Sequence, residues 1–483
     1  MNVLAIDQGT SGTKAIVFSP DGGVLAVAEV PVRPRYLEGG GVEQDPAELL
    51  DSVLLSGRQA MAAAGRPIDA VALANQGETV LAWDPGTGRP LSEAVVWQDR
   101  RSESICAELA GHSAEIAART GLVLDPYFSA PKMAWLRRNV TRAGVVTTTD
   151  TWLVHQLTGE FVTDASTASR SLLMDLDAVA WSLGLAELFG LAGEALPRIV
   201  ASDEVVGTTA LLGGGDLPVA GLVVDQQAAL LAQNCLEPGT SKCTFGTGAF
   251  LLANTGDRAV RSPAGLTSSV AWQARGGPTY CIDGQVYTAA SAVRWIQQLG
   301  LISGPADLDL VAADDASSVL CVPALAGLAA PWWRPDAGAS FTGLTLSSGR
   351  EHLVAAVLYG IAAQVAELGR LVEQSLGQPL AVLRVDGGLT RSRRLMQAQA
   401  DLSQLPVEVY PGEHATPMGA AALAMLALDP TLALADALPS WTPDVTYVPR
   451  WSSDEAESFR HRWLAAVDAS LPPGPPGMTG VLA

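Results

Sequence analysis

Cysteine and histidine are scarce in this chain of 483 residues, which contains five of each. The cysteines are dispersed and odd in number, and none lies in a Cys-x-x-Cys spacing: Cys106, Cys235, Cys243, Cys281 and Cys321. A disulfide framework needs paired cysteines, and a structural zinc site needs clustered cysteine or histidine ligands. The pattern therefore argues against both and indicates a reducing compartment.

Long hydrophobic runs are also lacking. An uncharged stretch from Ala316 to Trp333 is interrupted by Pro323, Pro331 and several glycines, so it predicts a buried strand and loop rather than a membrane span. The apolar run at residues 3–6 is too short for a signal peptide. We therefore expect a cytoplasmic protein without a membrane partner.

Basic residues are in deficit, and lysine is especially rare. Thirty Lys and Arg stand against fifty Asp and Glu, which gives a formal net charge of −20 at pH 7. A field of that sign repels nucleic acid and anionic membranes, so neither is an expected partner. Any anionic ligand would therefore have to bind where the local charge is an exception. The three lysines are Lys14, Lys132 and Lys242.

Apolar residues are plentiful, at 48% of the chain against 17% charged residues, as in a globular, well-packed enzyme. The length exceeds one ordinary core, so we expect two domains of about 200 residues or more. The predicted domains are residues 1–235 and 236–470. The proline-rich segment 471–483 is expected to be a disordered tail.

The first part of the chain alternates strands, turns and helices. An apolar run at residues 3–6 ends at Asp7 and is followed by a polar, glycine-containing turn and a second apolar run at residues 15–18. A helix is predicted from Pro46 to Ala64, because Asp45 suits the N-cap and proline suits the first helical position. Strands separated by helices indicate an α/β fold.

The middle of the chain repeats this pattern. The apolar run at residues 217–224 predicts a strand buried on both faces, and it ends at Asp225. Residues 242–256 then predict a strand, a Gly-Thr-Gly turn and another strand, which indicates an internal duplication. A third turn of the same type is predicted at residues 385–388.

Three of the predicted strands end in an aspartate: Asp7, Asp225 and Asp386. Ligands of open α/β sheets bind at the carboxyl ends of the strands, so these side chains are candidates for chemistry. The turns at residues 9–12 and 246–248 combine glycine with hydroxyl residues and can present backbone N–H groups to an anion.

The common nucleotide-binding motifs are absent. The sequence has no Gly-x-x-x-x-Gly-Lys-Ser/Thr motif and no Gly-x-Gly-x-x-Gly motif in a strand–helix–strand context. Phosphate binding by two hairpin turns, one in each domain, is therefore the better hypothesis. Lys14 lies beside the first turn, where a lysine can act as a compact, mobile positive charge toward the γ-phosphate.

Taken together, these motifs resemble those of the FGGY carbohydrate kinases, and within that family they are most similar to the motifs of glycerol kinases. The opening segment, residues 7–14, is similar to the first phosphate hairpin of the family. Further matches follow in the same order at residues 75–79, 96–101, 121–129, 150–153, 164–170, 225–227, 245–248, 331–333, 385–388 and 418–421. The resemblance covers the chain to about residue 425.

The resemblance implies an α/β fold of two ribonuclease-H-like domains, of the actin and hexokinase type, around a central cleft. It implies ATP and Mg²⁺ as cofactors, a small polyol or sugar as substrate, and a homodimer or homotetramer as the assembly. Asp225 would be the general base that takes the proton from the substrate hydroxyl. Asp7 and Asp225 would hold the Mg²⁺.

The resemblance also implies two sets of binding residues. The nucleotide would contact Thr10, Ser11, Lys14, Thr247, Arg294, Gly388 and Ser392. The polyol would contact Gly77, Glu78, Trp97, Tyr127, Asp225, Gln226 and Phe250. Carboxylate and amide groups can bind hydroxyls, and aromatic walls suit the carbon face of a polyol.

The sequence departs from the family pattern at several of these positions. Glycerol kinases usually carry an arginine where this chain has Gly77, and that arginine bonds a glycerol hydroxyl. Its loss should cost about 1.5–3 kcal/mol of binding and open space for a larger substrate. Other departures are Lys14 for an arginine, Ala290 and Arg294 for a glycine and a glutamine, and Ser392 for an asparagine.

Three hypotheses follow for the function. The first is ATP-dependent phosphorylation of glycerol to glycerol 3-phosphate, which Trp97, Tyr127 and Phe250 favour. The second is the same chemistry on a larger polyol or ketose, such as erythritol, threitol, xylulose or ribulose, which Gly77 favours. The third is a non-catalytic nucleotide switch, because the superfamily includes actin and chaperone ATPases; the retained catalytic aspartates argue against it.

Overall fold

The computed structural model describes residues 1–313 and 318–472. Of the segment predicted to be a disordered tail, only Leu471 and Pro472 are described, so the rest of that prediction lies outside the described residues. The uncharged stretch that begins at Ala316 is described from residue 318 onward, and there it forms a short strand followed by a loop, as predicted.

The described elements up to residue 235 are strands and helices in mixed order. The strands are β1 (Val3–Gln8), β2 (Gly12–Phe18), β3 (Val24–Pro31), β4 (Arg35–Tyr36), β5 (Val42–Gln44), β6 (Ala70–Asn75), β7 (Val80–Trp83), β8 (Ala94–Val95), β9 (Val145–Thr148), β10 (Val162–Asp164), β11 (Met174–Asp175), β12 (Ala180–Trp181), β13 (Arg198–Val200), β14 (Gly207–Thr209) and β15 (Leu217–Val224). The helices are α1 (Pro46–Ala64), α2 (Glu103–Glu108), α3 (Ser113–Thr120), α4 (Ser129–Asn139), α5 (Thr149–Thr158), α6 (Ala165–Ser169), α7 (Leu183–Leu188) and α8 (Asp225–Ala232).

The described elements after residue 235 continue the same alternation. The strands are β16 (Thr240–Phe245), β17 (Ala249–Gly256), β18 (Thr267–Ala274), β19 (Gly277–Val286), β20 (Leu320–Val322), β21 (Ser340–Thr342), β22 (Val382–Asp386), β23 (Val407–Val409) and β24 (Thr446–Tyr447). The helices are α9 (Ala290–Gln298), α10 (Leu308–Val311), α11 (Arg350–Leu376), α12 (Arg393–Ser403), α13 (Ala415–Leu428) and α14 (Ser453–Ser470).

Local sequence signals predicted two of these elements correctly. Helix α1 has the predicted bounds, and the Asp45 side chain caps it by accepting a hydrogen bond from the backbone N–H of Ala47 at 2.8 Å. Strand β15 also has the predicted bounds. Its alternate residues pack into two different apolar clusters, so both faces are buried, as its continuous apolar run predicted.

The first large sheet has the strand order β14-β15-β6-β1-β2-β3. Strands β15, β6 and β1 are parallel neighbours, whereas β1–β2 and β2–β3 are antiparallel hairpin pairs. The carboxyl ends of three parallel strands therefore lie side by side at one edge of the sheet, beside the turn that joins β1 to β2.

The second large sheet has the strand order β18-β19-β17-β16-β22-β23-β24. Its strands β23, β22, β16, β17 and β19 have the same order and directions as β15, β6, β1, β2 and β3 of the first sheet. This correspondence confirms the internal duplication that the sequence indicated.

The predicted third hairpin turn is wrong. Strand β22 ends at Asp386 and leads into a short 3₁₀ helix, Gly388–Arg391, and then into α12, rather than turning back into an antiparallel strand. At Gly387, whose φ is +96°, an added Cβ would lie 2.5 Å from the carbonyl oxygen of Phe245. The glycine therefore allows β22 to approach the end of β16, which is a different role from a hairpin turn.

Helix α13 lies between β23 and β24 of the second sheet in the chain but packs on the first sheet. It contacts β1, β6, β15 and helix α8, and its alanines form one apolar cluster with theirs. Gly419 makes this approach close, since an added Cβ there would lie 2.0 Å from the carbonyl oxygen of Ala228 in α8. Helix α13 thus ties the second half of the chain to the element that begins at Asp225.

Within the described residues, one helix is long and apolar enough to cross a membrane. This is α11, with a mean hydropathy of 1.4, and 78% of that segment is buried inside the protein. It covers the second sheet together with α12. The five cysteines are all buried as free thiols, consistent with the absence of paired cysteines in the sequence.

Candidate active site

The carboxyl edge of the first sheet carries two acidic side chains. Asp7 in β1 is level with Ala74 in β6, and Ala74 is level with Val223 in β15, so Asp225 follows at the same edge. Burial, and next the charge of Asp225, raise the pKa of Asp7 to about 7. Burial also raises the pKa of Asp225, against the opposing effect of Lys242. Two such carboxylates favour a cation between them.

The chemistry of this pair fits Mg²⁺ that arrives with a nucleotide. Among the described residues, no group of three or more His, Cys, Asp and Glu side chains could hold a metal ion. Mg²⁺ is usually bound by one or two carboxylates together with substrate phosphates, and it keeps several waters. Asp7 and Asp225 are two carboxylates, so the residues present at this edge fit Mg²⁺.

The turn between β1 and β2 is held by hydrogen bonds to its surroundings. The Thr10 hydroxyl donates to Oε1 of Gln76 at 3.0 Å and accepts a hydrogen bond from Nε1 of Trp97 at 2.9 Å. Lys14, on β2, lies 3.9 Å from a carboxylate oxygen of Glu29, and its charge lowers the pKa of Asp7. The turn and the acidic edge are therefore electrostatically coupled.

The turn between β16 and β17 is held against the start of α9. The carbonyl oxygen of Thr247 accepts hydrogen bonds from the backbone N–H of Ala289 at 2.9 Å and from the Ser291 hydroxyl at 3.0 Å. At Gly248 an added Cβ would lie 2.4 Å from the carbonyl oxygen of Val286, so only glycine fits. Arg294, on the first turns of α9, is exposed beside this turn.

A cavity of about 460 Å³ lies between the two turns. Most of the residues predicted to bind substrate or nucleotide line it: Thr10, Ser11, Gly77, Glu78, Trp97, Tyr127, Asp225, Gln226, Thr247, Phe250 and Arg294. Four predicted site residues are not among its lining: Asp7, Lys14, Gly388 and Ser392. Gly246, in the second turn predicted to face an anion, also lines the cavity, and sequence reasoning missed five further lining residues: Pro34, Tyr36, Gln76, Gln98 and Thr244.

Of the residues outside the cavity, Ser392 has partners of its own. It caps α12, accepts a hydrogen bond from the backbone N–H of Leu395, and donates its hydroxyl to Oδ1 of Asp309 at 2.8 Å. Gly388 leaves open space, because no atom lies within 4 Å of where its Cβ would be. Gly388 and Ser392, which the resemblance both assigned to the nucleotide, therefore differ in their surroundings: Gly388 borders open space, whereas Ser392 is already hydrogen-bonded within the protein.

Three aromatic rings form one wall of the cavity. The Trp97 ring lies 5.5 Å from that of Tyr127 and 6.2 Å from that of Phe250, both in edge-on arrangements. Lys132 holds the segment that carries Tyr127, since its buried ammonium donates to the carbonyl oxygens of residues 126, 127 and 128 at 2.8, 2.5 and 2.6 Å. Burial lowers the pKa of Lys132 to about 7.

A buried ion-pair network lies behind Glu78. Nε of Arg170 donates to Oε1 of Glu78 at 2.7 Å, and Nη1 of Arg170 donates to Oδ1 of Asp283 at 2.8 Å. All three residues are at most 5% exposed. Burial raises the pKa of Glu78, and the Arg170 charge opposes that effect. Two carboxylates share one guanidinium here, so this end of the site retains negative charge.

The space beside Gly77 is partly filled. An added Cβ at Gly77 would lie 2.9 Å from Cγ2 of Val224, so the valine occupies room that the sequence predicted to be open. Arg170 lines a small inner cavity together with Val224, but its guanidinium is engaged by Glu78 and Asp283. No other arginine among the described residues lines this inner part of the site.

Lys242 connects the acidic edge to the substrate side. Its buried ammonium donates to Oε1 of Gln226 at 2.6 Å and to the Thr244 hydroxyl at 2.9 Å. Burial lowers the pKa of Lys242, while Asp386 and Asp225 oppose that shift. The Gln226 amide oxygen accepts from Lys242, and a hydrogen bond from the Gln226 side chain to Asp225 lowers the pKa of that carboxylate against the effect of burial.

The duplicated sheets, the turn from each that faces one cavity, and the carboxylate pair define a two-domain phosphotransferase of the actin and hexokinase type. Residues 2–232 match the N-terminal domain, and residues 241–428 the C-terminal domain, of the FGGY family of carbohydrate kinases. The chain belongs to this family and is an ATP-dependent kinase. Its fold class and family are therefore confirmed, and a non-catalytic nucleotide switch is disfavoured.

Individual relatives match over almost the whole chain. A glycerol kinase from Bordetella parapertussis is 42% identical over an alignment 491 positions long, which covers 97% of each protein. A glycerol kinase from Thermus brockianus is 39% identical and covers 96% of this chain and 98% of the relative.

Solved structures give the same result for the fold. Plasmodium falciparum glycerol kinase with ADP has a TM-score of 0.91 and 30% identity, covering 98% of this chain and 99% of that one. A xyloylose kinase from Brucella ovis has a TM-score of 0.88 and 26% identity, covering 97% and 99%.

Proposed function

We propose that this kinase phosphorylates glycerol to glycerol 3-phosphate with ATP and Mg²⁺. The observation that carries the proposal is the single cavity that joins Asp225, Glu78 and Gln226 to the aromatic wall of Trp97, Tyr127 and Phe250. Its acidic and amide groups can bind hydroxyls, and its rings can cover a carbon chain. The substrate named for the curated relatives at about 40% identity supports the same choice.

The reaction joins the substrate oxygen to the γ-phosphorus and breaks the bond from that phosphorus to ADP. Asp225 would take the hydroxyl proton, which requires its carboxylate form. Its Oδ1 accepts the backbone N–H of Gln226 at 2.7 Å, which orients the carboxylate at the start of α8. Positioning and charge stabilisation supply most of the rate of phosphoryl transfer.

The remaining roles divide along the cavity. Asp7 and Asp225 would hold Mg²⁺, which when bound neutralises charge on the phosphates. Thr10, Ser11, Lys14 and Thr247 would contact the phosphates. Arg294, Gly388 and Ser392 would lie along the rest of the nucleotide, although Ser392 must share its hydroxyl with Asp309.

The charge of the inner site limits the class of substrate. Glu78, Asp225 and Asp283 line it with one guanidinium, that of Arg170. A sugar acid or a sugar phosphate would place a further negative charge beside these carboxylates, which is unfavourable in a buried site. A neutral polyol or ketose is therefore the expected substrate class.

A larger polyol or a ketose is the second candidate. Gly77 favours it, because the usual arginine contact to glycerol is missing, and so does the similarity to a xyloylose kinase at 26% identity. Against it, Val224 fills part of the space beside Gly77.

One experiment distinguishes glycerol from a larger substrate. Initial rates of phosphorylation with MgATP are measured on glycerol, erythritol, threitol, xylulose and ribulose. The highest kcat/KM on glycerol supports the first candidate. A preference of more than tenfold for a longer substrate replaces glycerol with that substrate, and no polyol-dependent turnover of ATP refutes both.

The setting of the enzyme is also a proposal. A cytoplasmic location agrees with the buried free thiols. We propose a homodimer or homotetramer, which light scattering after size exclusion would identify by mass.

A further inference from the structure

A small cavity extends the candidate active site toward the second sheet. It has a volume of about 20 Å³, and it shares Glu78, Tyr127, Asp225, Gln226 and Phe250 with the larger cavity. One water-sized group needs about 10–15 Å³ of such volume. The small cavity therefore has room for one hydroxyl group of a ligand that occupies the larger one.

Strand β19 contributes two polar side chains to this small cavity. Because side chains alternate along a strand, Asp283 and Gln285 lie on one face and Gly284 on the other. The pairing of β19 with β17 places Gln285 opposite Phe250, a ring of the aromatic wall. Register alone thus brings Gln285 to the substrate side of the sheet.

The orientation of the Gln285 amide follows from its neighbour. Its Nε2 donates to Oδ2 of Asp283 at 2.7 Å, while the other oxygen of Asp283 accepts from Arg170. A carboxylate paired with a guanidinium can only accept, so the amide nitrogen must face it. The Gln285 carbonyl oxygen is left over.

That carbonyl oxygen is buried and has no hydrogen-bond partner among the described residues. The side chain as a whole is 2% exposed. A buried acceptor without a donor is unfavourable, and most such groups in proteins are satisfied. Gln285, which carries the unpaired oxygen, lines a cavity of the size of one hydroxyl together with a second acceptor, Glu78.

We propose that Gln285 determines substrate specificity by accepting a hydrogen bond from a hydroxyl of the substrate that is not the one phosphorylated. The bound group is a hydroxyl rather than a carbonyl, carboxylate or phosphate, because Gln285 Oε1 and Glu78 both require a donor. The inference rests on the proposed function, since it names a second contact of the same polyol site. It supplies a polar contact to the substrate from a chain segment other than that of Gly77, where the usual arginine is missing.

The test is a comparison of substrates that differ by one hydroxyl. Values of kcat/KM are measured for glycerol, propane-1,2-diol and propane-1,3-diol in the unmutated enzyme, in Gln285→Met and in Gln285→Ala. Gln298→Met is the matched control, because Gln298 is an exposed glutamine at the end of α9. Methionine keeps the length of the side chain and removes the acceptor.

We expect the unmutated enzyme to prefer glycerol over one of the two diols. Gln285→Met should lower kcat/KM on glycerol by about tenfold and leave kcat/KM on that diol nearly unchanged. The ratio of the two values should therefore fall by about tenfold. Gln285→Ala should compress the preference in the same way, and Gln298→Met should retain it. A general loss of fold would lower kcat/KM for all three substrates by the same factor. The ratio of kcat/KM on glycerol to that on each diol would then be unchanged.

Unchanged ratios for both diols in a folded, active Gln285→Met enzyme would overturn the inference and leave the proposed function intact. If a longer polyol or ketose is the better substrate, the same ratios are measured on it and its deoxy analogues, and the same outcomes apply. If the unmutated enzyme neither phosphorylates any of these compounds nor binds them by calorimetry, the proposed function fails, and the role of Gln285 fails with it.

Discussion

At the scale of single residues, the site depends on charges that are buried close together. Asp7 and Asp225 lie at one edge of the first sheet, and Lys242 contacts the partner groups of Asp225 rather than standing in solvent. The pKa of each is displaced from its ordinary value by burial. Asp225 also lines the cavity, and a displaced pKa in a cavity is typical of catalytic sites.

Replacing Asp225 tests the general base. Asp225→Asn should lower kcat by about 10²–10⁴-fold, because an amide cannot take the hydroxyl proton. Binding of the polyol, measured by calorimetry without nucleotide and Mg²⁺, should change much less than kcat, since the amide is of similar size and keeps one acceptor oxygen. Asp216→Asn, at an exposed position, is the control and should keep normal turnover. Normal turnover in Asp225→Asn would exclude this residue as the base.

Replacing Asp7 tests the electrostatic cost of the carboxylate pair. The pKa of Asp7 is about 7 in the fold against 3.8 for the ordinary side chain, so the folded state binds this proton more tightly than the unfolded state. Stability therefore falls as the pH rises between these two values and is constant above about 7. Asp7→Asn removes this dependence.

The Asp7→Asn enzyme should thus be more stable than the unmutated enzyme without ligands. The gain in the urea midpoint should grow from pH 5 to pH 7 and level off by pH 8, while phosphorylation activity is lost. Asp216→Asn should show no such pH-dependent gain. An equal shift at every pH, or a loss of stability at pH 8, would contradict the assigned pKa.

Residues of the candidate active site could be predicted from the sequence only where a local motif marks them. Asp7 and Asp225 end predicted strands, and Glu78 lies in a recognisable motif. Arg170, Lys242 and Gln285 could be placed only by the fold, because their partners are 16 to 113 positions away or depend on strand register. Gln285 carries no motif signal except its place two residues after Asp283.

At the scale of elements, the site depends on how α8 is supported. Asp225 begins α8, and α13 packs along α8 and the parallel strands of the first sheet. The bounds of α1 and β15 were predictable, because capping residues and continuous apolar runs are local signals. The packing of α13 was not, because an apolar helix carries no signal for which of two similar sheets it covers.

Gly419 tests the contact between α13 and α8. Gly419→Ala should destabilise the protein by about 1–3 kcal/mol, because the added Cβ would lie 2.0 Å from the carbonyl oxygen of Ala228. The displacement should also lower kcat, since α8 carries Asp225. Chemical unfolding and steady-state rates measure the two effects.

Gly111→Ala is the matched control for Gly419→Ala. Gly111 is exposed in a 3₁₀ turn, and no atom lies within 4 Å of its Cβ direction. It should change stability by less than about 0.5 kcal/mol. If Gly419→Ala behaves like this control, α13 does not support α8 as closely as the geometry indicates.

At the scale of the whole molecule, a strongly acidic chain must attract an anionic nucleotide. The net charge is −20, yet Lys14 lies beside the first turn and Arg294 beside the second. The two-domain arrangement and the paired turns were predictable because the duplicated pattern is visible in the sequence. The width of the cavity between them was not, since it depends on packing of distant elements such as α13.

Closure of the cleft is the prediction that belongs to this scale. The cavity takes Thr10 and Glu78 from the first sheet region and Thr247, Phe250 and Arg294 from the second, so a ligand that contacts both sets should draw the two halves together. Closure would exclude water from the γ-phosphate and limit hydrolysis of ATP without substrate. Small-angle X-ray scattering with a non-hydrolysable ATP analogue, Mg²⁺ and glycerol should give a smaller radius of gyration than the free enzyme.

The controls for closure are glycerol alone and the nucleotide analogue alone, each of which contacts fewer of these residues and should compact the molecule less. A second readout is ATP hydrolysis, which should be slow without a polyol. A scattering profile that is unchanged with both ligands would show that the halves do not move. In that case the cavity of about 460 Å³ is already the reactive form, and water must be kept from the γ-phosphate without movement of the two halves.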